Sequence, residues 1–172
     1  GVNMTGFTVQ NSGTVDHITG INLNNVNHCN ISGNIVTNNE HGIMLHNYSH
    51  HNTISSNIIT ENSEWGLHII DSHYNNVSRN IVGGNFWGSV DIHGYSTYNR
   101  VFENDIRKNV GSNETYGFII DGSEYNIIDG NNIADNLWGI SIQYSSGRNS
   151  VLRNNIVNNQ IGIGLKINTY AN

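Results

Sequence analysis

Apolar residues in this chain come in pairs two places apart, and the pairs return at a nearly fixed interval. The stretch NTISSNIITEN at 52–62 shows the smallest unit: Asn52, Asn57 and Asn62, with Ile54 and Ile59 two places after the first two. Alternation over three to five residues is a strand signal. On a period of about 23 residues the chain falls into columns. One aliphatic column is Ile31, Ile54, Val77, Val101, Ile128 and Val151; a second is Val36, Ile59, Val82, Ile106, Ile133 and Ile156. A glycine column follows: Gly42, Gly66, Gly88, Gly117, Gly139 and Gly162. Behind it come Ile43, Leu67, Val90, Phe118, Ile140 and Ile163, then Leu45, Ile69, Ile92, Ile120, Ile142 and Leu165.

Asparagine separates these columns. One set is Asn34, Asn57, Asn80, Asn104, Asn131 and Asn154, and another is Asn39, Asn62, Asn85, Asn109, Asn136 and Asn159. A third is Asn52, Asn75, Asn99, Asn126 and Asn149, with Cys29 in the first place. Three short strands per repeat cannot bury an apolar face alone. Stacked coils can, each pairing in parallel with its neighbours ~4.8 Å away. The expected fold is therefore an all-β solenoid of about seven turns, a rod roughly 30–35 Å long. Asparagine suits its corners because it tolerates left-handed backbone angles. Its amide, stacked on itself, donates to one coil and accepts from the other, and so satisfies a polar group whose burial otherwise costs ~1–3 kcal/mol. The chain has no proline, as strands that all need their N–H groups require.

The irregularities also carry information. From Val101 to Ile128 the interval is 27 residues, and the extra ones fall between Asn109 and Gly117, which predicts a bulged loop there. The first turn is degenerate: Met4, Phe7, Val9 and Ser12 lie 27 residues before Ile31, Asn34, Val36 and Asn39, so Phe7 and Ser12 replace asparagine.

The repeat N-x-[IV]-x-x-N-x-[IV]-x-x-N…G-[IVLF]-x-[IVL] resembles the right-handed parallel β-helix repeat family. It is most similar to the NosD-like branch, also called the CASH (carbohydrate-binding and sugar hydrolase) type. The likeness runs from about residue 4 to 167. It implies a right-handed parallel β-helix, an extracellular, cell-surface or periplasmic setting, and a loose link to polysaccharide. It fixes no reaction, because such repeats occur in lyases, epimerases, copper-related periplasmic proteins and surface proteins.

Composition narrows the partners. Charged residues make up 12% and hydrophobic residues 36% of 172 residues, while asparagine contributes 33. That is one domain, 1–172, with a real core. A net charge of −6 argues against nucleic acid and against an anionic membrane surface. No apolar run approaches the ~18 residues of a membrane span. The single Cys29 leaves no internal disulfide framework and no multi-cysteine metal site. The start at Gly1 without a visible signal peptide reads as a processed or truncated N-terminus. The end, NQIGIGLKINTYAN, is still inside the repeat, which reads as a segment of a longer solenoid or as a subunit that stacks end to end.

Four constellations could carry chemistry. Acidic catalysis on this scaffold needs carboxylates on adjacent turns of one face with an Arg or Lys. The 13 acids are scattered, and Asp91 and Asp121 are two columns apart. YGFIIDG at 116–122 starts like the YGFDPH signature of alginate epimerases and then departs at Ile119, Ile120 and Asp121. Solvated surface acids are the better reading. All nine histidines lie within 17–93. His28 falls one turn from His51, and His50 one turn from His73, close enough for paired imidazoles to share Cu²⁺ or Zn²⁺. His46 and His93 share a column two turns apart, with His68 and Asp91 beside them. Aromatics precede the glycine column at Trp65, Trp87, Tyr116 and Trp138, with Trp87 slipped by one place, and precede corner asparagines at Tyr74, Tyr98 and Tyr125. Such a stripe either contacts glycan or a partner protein, or simply covers the backbone. Finally, Asn47 and Asn113 begin N-x-[ST] triplets in variable segments, where glycosylation would be accommodated.

Taken together, the sequence points to a non-catalytic structural or adhesive module of a secreted or surface protein, presenting faces to glycan or protein. The alternatives are a polysaccharide lyase or epimerase domain and a periplasmic copper-related protein.

Overall fold

The computed structural model of the protein describes residues 1–12, 18–111 and 114–166. The chain winds as a parallel β-helix. Each coil lays down two strands of three residues and one of six, as at Thr53–Ser55, Ile58–Thr60 and Trp65–Ile70. Among the described residues these build three sheets of seven parallel strands, each strand paired with its counterpart one coil away. Ile54 pairs with Ile31 and Val77, Ile59 with Val36 and Val82, and Leu67 with Ile43 and Val90, so the aliphatic columns are the sheet registers. These side chains point inward and are fully buried in the middle coils, each worth about 1.5–3 kcal/mol. The third strand of the first coil, Thr19–Asn24, extends the inner columns to Ile21 and Leu23.

The asparagine columns form the expected ladders. Asn57 is representative: its Oδ1 accepts from the backbone N–H and Nδ2 of Asn34 at 2.9 and 3.0 Å. Its Nδ2 donates to the Ile31 carbonyl at 2.9 Å and to Asn80 Oδ1 at 3.0 Å. The degenerate first coil joins through backbone alone: the N–H groups of Phe7 and Ser12 donate to Asn34 and Asn39, whose Nδ2 atoms donate to the Met4 and Val9 carbonyls.

The corner backbone corrects one expectation. The left-handed residue is not the ladder asparagine but the one before it: Ser56, Arg79 and Glu103 precede Asn57, Asn80 and Asn104. That residue turns its side chain to solvent, so many types are accepted despite a cost of roughly 1–2 kcal/mol for a left-handed L-residue. The next side chain points inward and must both accept and donate. Asparagine is selected there for its hydrogen bonds, not for its backbone tolerance.

The glycine column also needs one correction. Gly88 pairs with Trp65, and Val90 with Leu67, so Ser89 takes the place held by Gly66 and Gly117. A Cβ on Gly66 would lie 2.6 Å from Asn85 Nδ2, and one on Gly117 would lie 2.9 Å from Asn136 Nδ2. Glycine thus clears the space beside the ladder. Ser89 fills that space, and its Oγ bonds to the Val82 carbonyl and to Asn109 Oδ1. Asn109 then receives the backbone N–H of Asn85, with no Nδ2 rung to it among the described bonds.

Two further ladders run along the corners of the solenoid. The hydroxyls of Ser49, Ser72, Ser96, Ser123 and Ser146 each accept a backbone N–H from the preceding coil. A second line runs with opposite polarity: Asn27 Oδ1 accepts the N–H of His50, His50 Nδ1 that of His73, and His73 Nδ1 that of Thr97.

Two outcomes follow from these ladders. Asn80→Ala strips the shared acceptor from two buried donors of Asn57, and at ~1–3 kcal/mol per orphaned group it should cost about 3–5 kcal/mol in urea unfolding. The same change at the more exposed Asn154 should cost about 1 kcal/mol. Desolvation, followed by the charge of a neighbouring histidine, holds His50 and His73 below their ordinary value of 6.5. Folding therefore favours the neutral rings. Their contribution is complete above about pH 6.5 and is lost as pH falls through the lowered folded values. Melting temperature should drop below pH 6.5 by about 2–4 °C per bond lost. The pair His50→Asn and His73→Asn, which keeps the acceptors, should flatten that slope when melting is followed by circular dichroism.

Candidate functional site on the outer face of the third sheet

The six-residue strands present an outer face that is unusually well covered. His41, Trp65, His68, Asp91, Tyr116 and Ile119 all project from this sheet and are all buried. Gly88 explains part of this. It sits in register between Trp65 and Tyr116, and a Cβ there would lie 2.3 Å from Trp65 Cζ3. With no side chain at Gly88, the rings of Trp65 and Tyr116 reach across it to 6.2 Å, and Tyr116 continues to Trp138 at 6.2 Å.

Beside this aromatic cover the register brings His68 next to Asp91. His68 Nε2 lies 2.9 Å from Asp91 Oδ2, and His93 Nδ1 lies 3.8 Å from the same oxygen. His68 and Asp91 are buried, while His93 is half-exposed at the rim. The close approach of His68 to Asp91 does not have hydrogen-bond geometry. Among the described residues both ring nitrogens of His68 and Asp91 Oδ1 are buried without a hydrogen-bond partner. Three ligand-type atoms therefore lie within 4.8 Å of one another. Glu64, from the coil of His68, and Glu40 and His41, from the coil before it, form a second such group, with His41 Nε2 3.1 Å from Glu64 Oε2. The two groups meet where the rings of His41 and His68 are 5.3 Å apart. Burial, then the charge of Asp91, holds the Asp121 carboxyl above the usual range. Burial, then its bond to Glu114, pushes the Tyr116 phenol up to about 12.

His28 and His51 stack at 5.3 Å, and His50 and His73 at 4.8 Å. They are ladder and corner pairs without a third ligand among the described residues, and the Nδ1 atoms of His50 and His73 are occupied by backbone N–H groups. Tyr74, Tyr98 and Tyr125 continue the His28–His51 column at 5.0–5.1 Å. Their ring faces are taken up by one another, by His51 at one end and by Arg148 at the other. Trp65 and Tyr116 are buried rather than displayed, and Trp87 stands outside their stack with 45% exposure. Asn47 is exposed, and its Nδ2 donates to Asn24 Oδ1. Asn113 lies outside the described residues. The His68–Asp91–His93 group was only adjacent in the sequence columns. The signal was the Leu67–Val90 register, which sets His68 beside Asp91.

No helix among the described residues is long and apolar enough to cross a membrane. No curated protein matched the chain. A family profile described as "Periplasmic copper-binding protein (NosD)" matches residues 2–110 and, again, residues 86–172. The two matches overlap and together span nearly all of the repeat, so this chain belongs to the NosD family.

Proposed function

We propose that this protein is a non-catalytic extracytoplasmic scaffold that holds a copper ion on the outer face of its third sheet, through His68, Asp91 and His93. The observation that carries this reading is the buried pair His68 and Asp91, of which Nδ1 and Nε2 of the histidine and Oδ1 of the aspartate lack hydrogen-bond partners among the described residues. Leaving such groups unsatisfied costs about 1–3 kcal/mol each. A cation drawing on both offsets that cost, and the two-imidazole, one-carboxylate donor set suits Cu²⁺ or Zn²⁺. The family description adds copper and a periplasmic setting. Bound metal would supply a Lewis-acidic or redox-active centre. The chain's own part is to fix the donors on a rigid sheet and, with Trp65, to shield one side from water. Display of surfaces to glycan or other proteins remains part of this scaffold reading, but the stacked Tyr74–Tyr98–Tyr125 column offers no free ring faces for it.

Titration with Cu²⁺ at pH 7.5, followed by calorimetry and electron paramagnetic resonance, should show one site with nitrogen hyperfine structure. His68→Ala and Asp91→Ala should each weaken it by about 10–100-fold, while the His50→Asn, His73→Asn pair should leave it intact. Loss of the site in the His50/His73 variant with retention in His68→Ala would overturn the assignment.

A further inference from the structure

The aromatic row on the outer face of the third sheet runs on past the metal-competent group, and its middle member is equipped for more than cover. Trp65, Tyr116 and Trp138 lie in file along the solenoid axis. Their ring centroids are 6.2 Å apart at both steps, with the planes 26 and 28° from parallel. Two glycines let the indoles lie flat across a neighbouring strand. A Cβ on Gly88 would lie 2.3 Å from Cζ3 of Trp65, and one on Gly164 would lie 2.3 Å from Cζ3 of Trp138. The inner end of the file meets the donor group, with the rings of Trp65 and His68 6.3 Å apart. Trp65 and Tyr116 are buried, and Trp138 is half-buried at the far end.

Of the three rings, only Tyr116 passes its polar hydrogen to a carboxylate among the described bonds. Its hydroxyl donates to Glu114 Oε2 at 2.8 Å. The Glu114 side chain is 64% exposed, so a proton handed to it reaches water. With its phenol pushed up to about 12, Tyr116 keeps that proton at ordinary pH. Loss of an electron makes the phenol strongly acidic, and the proton then leaves. Charge favours this ring over its neighbours. Lys166 Nζ lies 4.3 Å over the Trp138 ring and opposes a second positive charge there. A cation held by His68 acts likewise on Trp65. Tyr116 escapes the penalty because it becomes neutral as its proton departs.

We propose that this file is a one-electron relay, in which an oxidising equivalent entering at Trp65 or Trp138 comes to rest on Tyr116 while Glu114 takes the phenol proton. The step balances. A one-electron oxidant removes an electron from a tryptophan and leaves its cation radical. That indole takes an electron from Tyr116 as the phenol O–H bond breaks. The products are an intact tryptophan, a neutral tyrosyl radical and a protonated Glu114 carboxyl. At the inner end the oxidant is of the hydroxyl-radical class that copper and hydrogen peroxide generate. That source rests on the metal reading, whereas the relay itself does not. The consequence is that oxidation beside the ion is drawn away from the imidazoles of His68 and His93.

The relay is tested on the chain without metal. Azide radicals made by pulse radiolysis oxidise tryptophan, and transient absorption follows conversion of the tryptophanyl signal to a tyrosyl one. A first-order conversion independent of protein concentration is expected. Tyr116→Phe keeps the ring and its packing and should abolish the conversion, as should Trp138→Phe, which removes the outer entry. Glu114→Gln keeps all three rings and should lose most of the rate. Trp87→Phe and Tyr98→Phe, outside the file, should retain it. Melting by circular dichroism identifies any variant that fails to fold. In a second arm the chain is loaded with Cu²⁺, treated with hydrogen peroxide and mapped by peptide mass spectrometry. Tyr116→Phe and Trp65→Phe should each raise oxidation of His68 and His93 above the parent level. No conversion in the parent, or equal conversion in Tyr116→Phe, overturns the relay. Unchanged histidine oxidation in both variants overturns its link to the metal-competent group. Copper that fails to bind at His68 defeats the metal reading alone, and the first arm still decides the relay.

Discussion

The buried asparagine rung is the interaction on which this molecule depends. A parallel β-helix satisfies its strand hydrogen bonds between coils, but each corner leaves backbone groups inside that no strand can reach. Asn57 shows the solution: one side chain accepts two donors from the coil on one side and gives one to a carbonyl there and one to the amide of the next. The unit is self-complementary, so the same residue recurs at the same place in every coil. Remove the acceptor and two donors are stranded. Remove the donor and a carbonyl and the next amide each lose a partner. Serine performs a simpler version at Ser49, Ser72 and Ser96, accepting without extending an amide chain.

Because the corners are fixed this way, the remaining positions are free to vary outward, and function is written there. The left-handed residue before each rung faces solvent and takes His28, His51, Tyr74, Tyr98 and Tyr125 in one file. The outer face of the third sheet takes Trp65, His68 and Asp91. One irregularity couples frame to face. Ser89 fills the space that glycine normally clears, a ladder rung is rearranged around Asn109, and Gly88 falls into the aromatic row. The gap at Gly88 lets Trp65 lie across the sheet beside His68. A single shift in register thus shapes the cover over the metal-competent group.

The strand spacing also decides which rings can cover one another. Residues repeated at every coil sit close enough to stack and bury each other's faces. Residues repeated at every second coil cannot. Tyr98 is therefore stacked on both faces, by Tyr74 and Tyr125, whereas Tyr95 is in no ring pair among the described residues.

The sequence by itself determined the winding. Aliphatic and asparagine columns at a common period fix which residues pair, since a one-place slip would turn every inward side chain outward. Ile54 on Ile31 and Val77, and Asn57 between Asn34 and Asn80, were legible for that reason. The tertiary structure alone decided what depends on exact corner length and on depth. It moved the left-handed angle from Asn57 to Ser56, and put Ser89 in the place expected for Gly88. It turned Trp65 from a displayed ring into a buried cover and gave the Nδ1 atoms of His50 and His73 to the backbone. It also drew His68 and Asp91 together without a hydrogen bond. A periodic pattern specifies neighbours along a column. It does not specify how far a side chain leans across the face, because that follows from the space its neighbours leave.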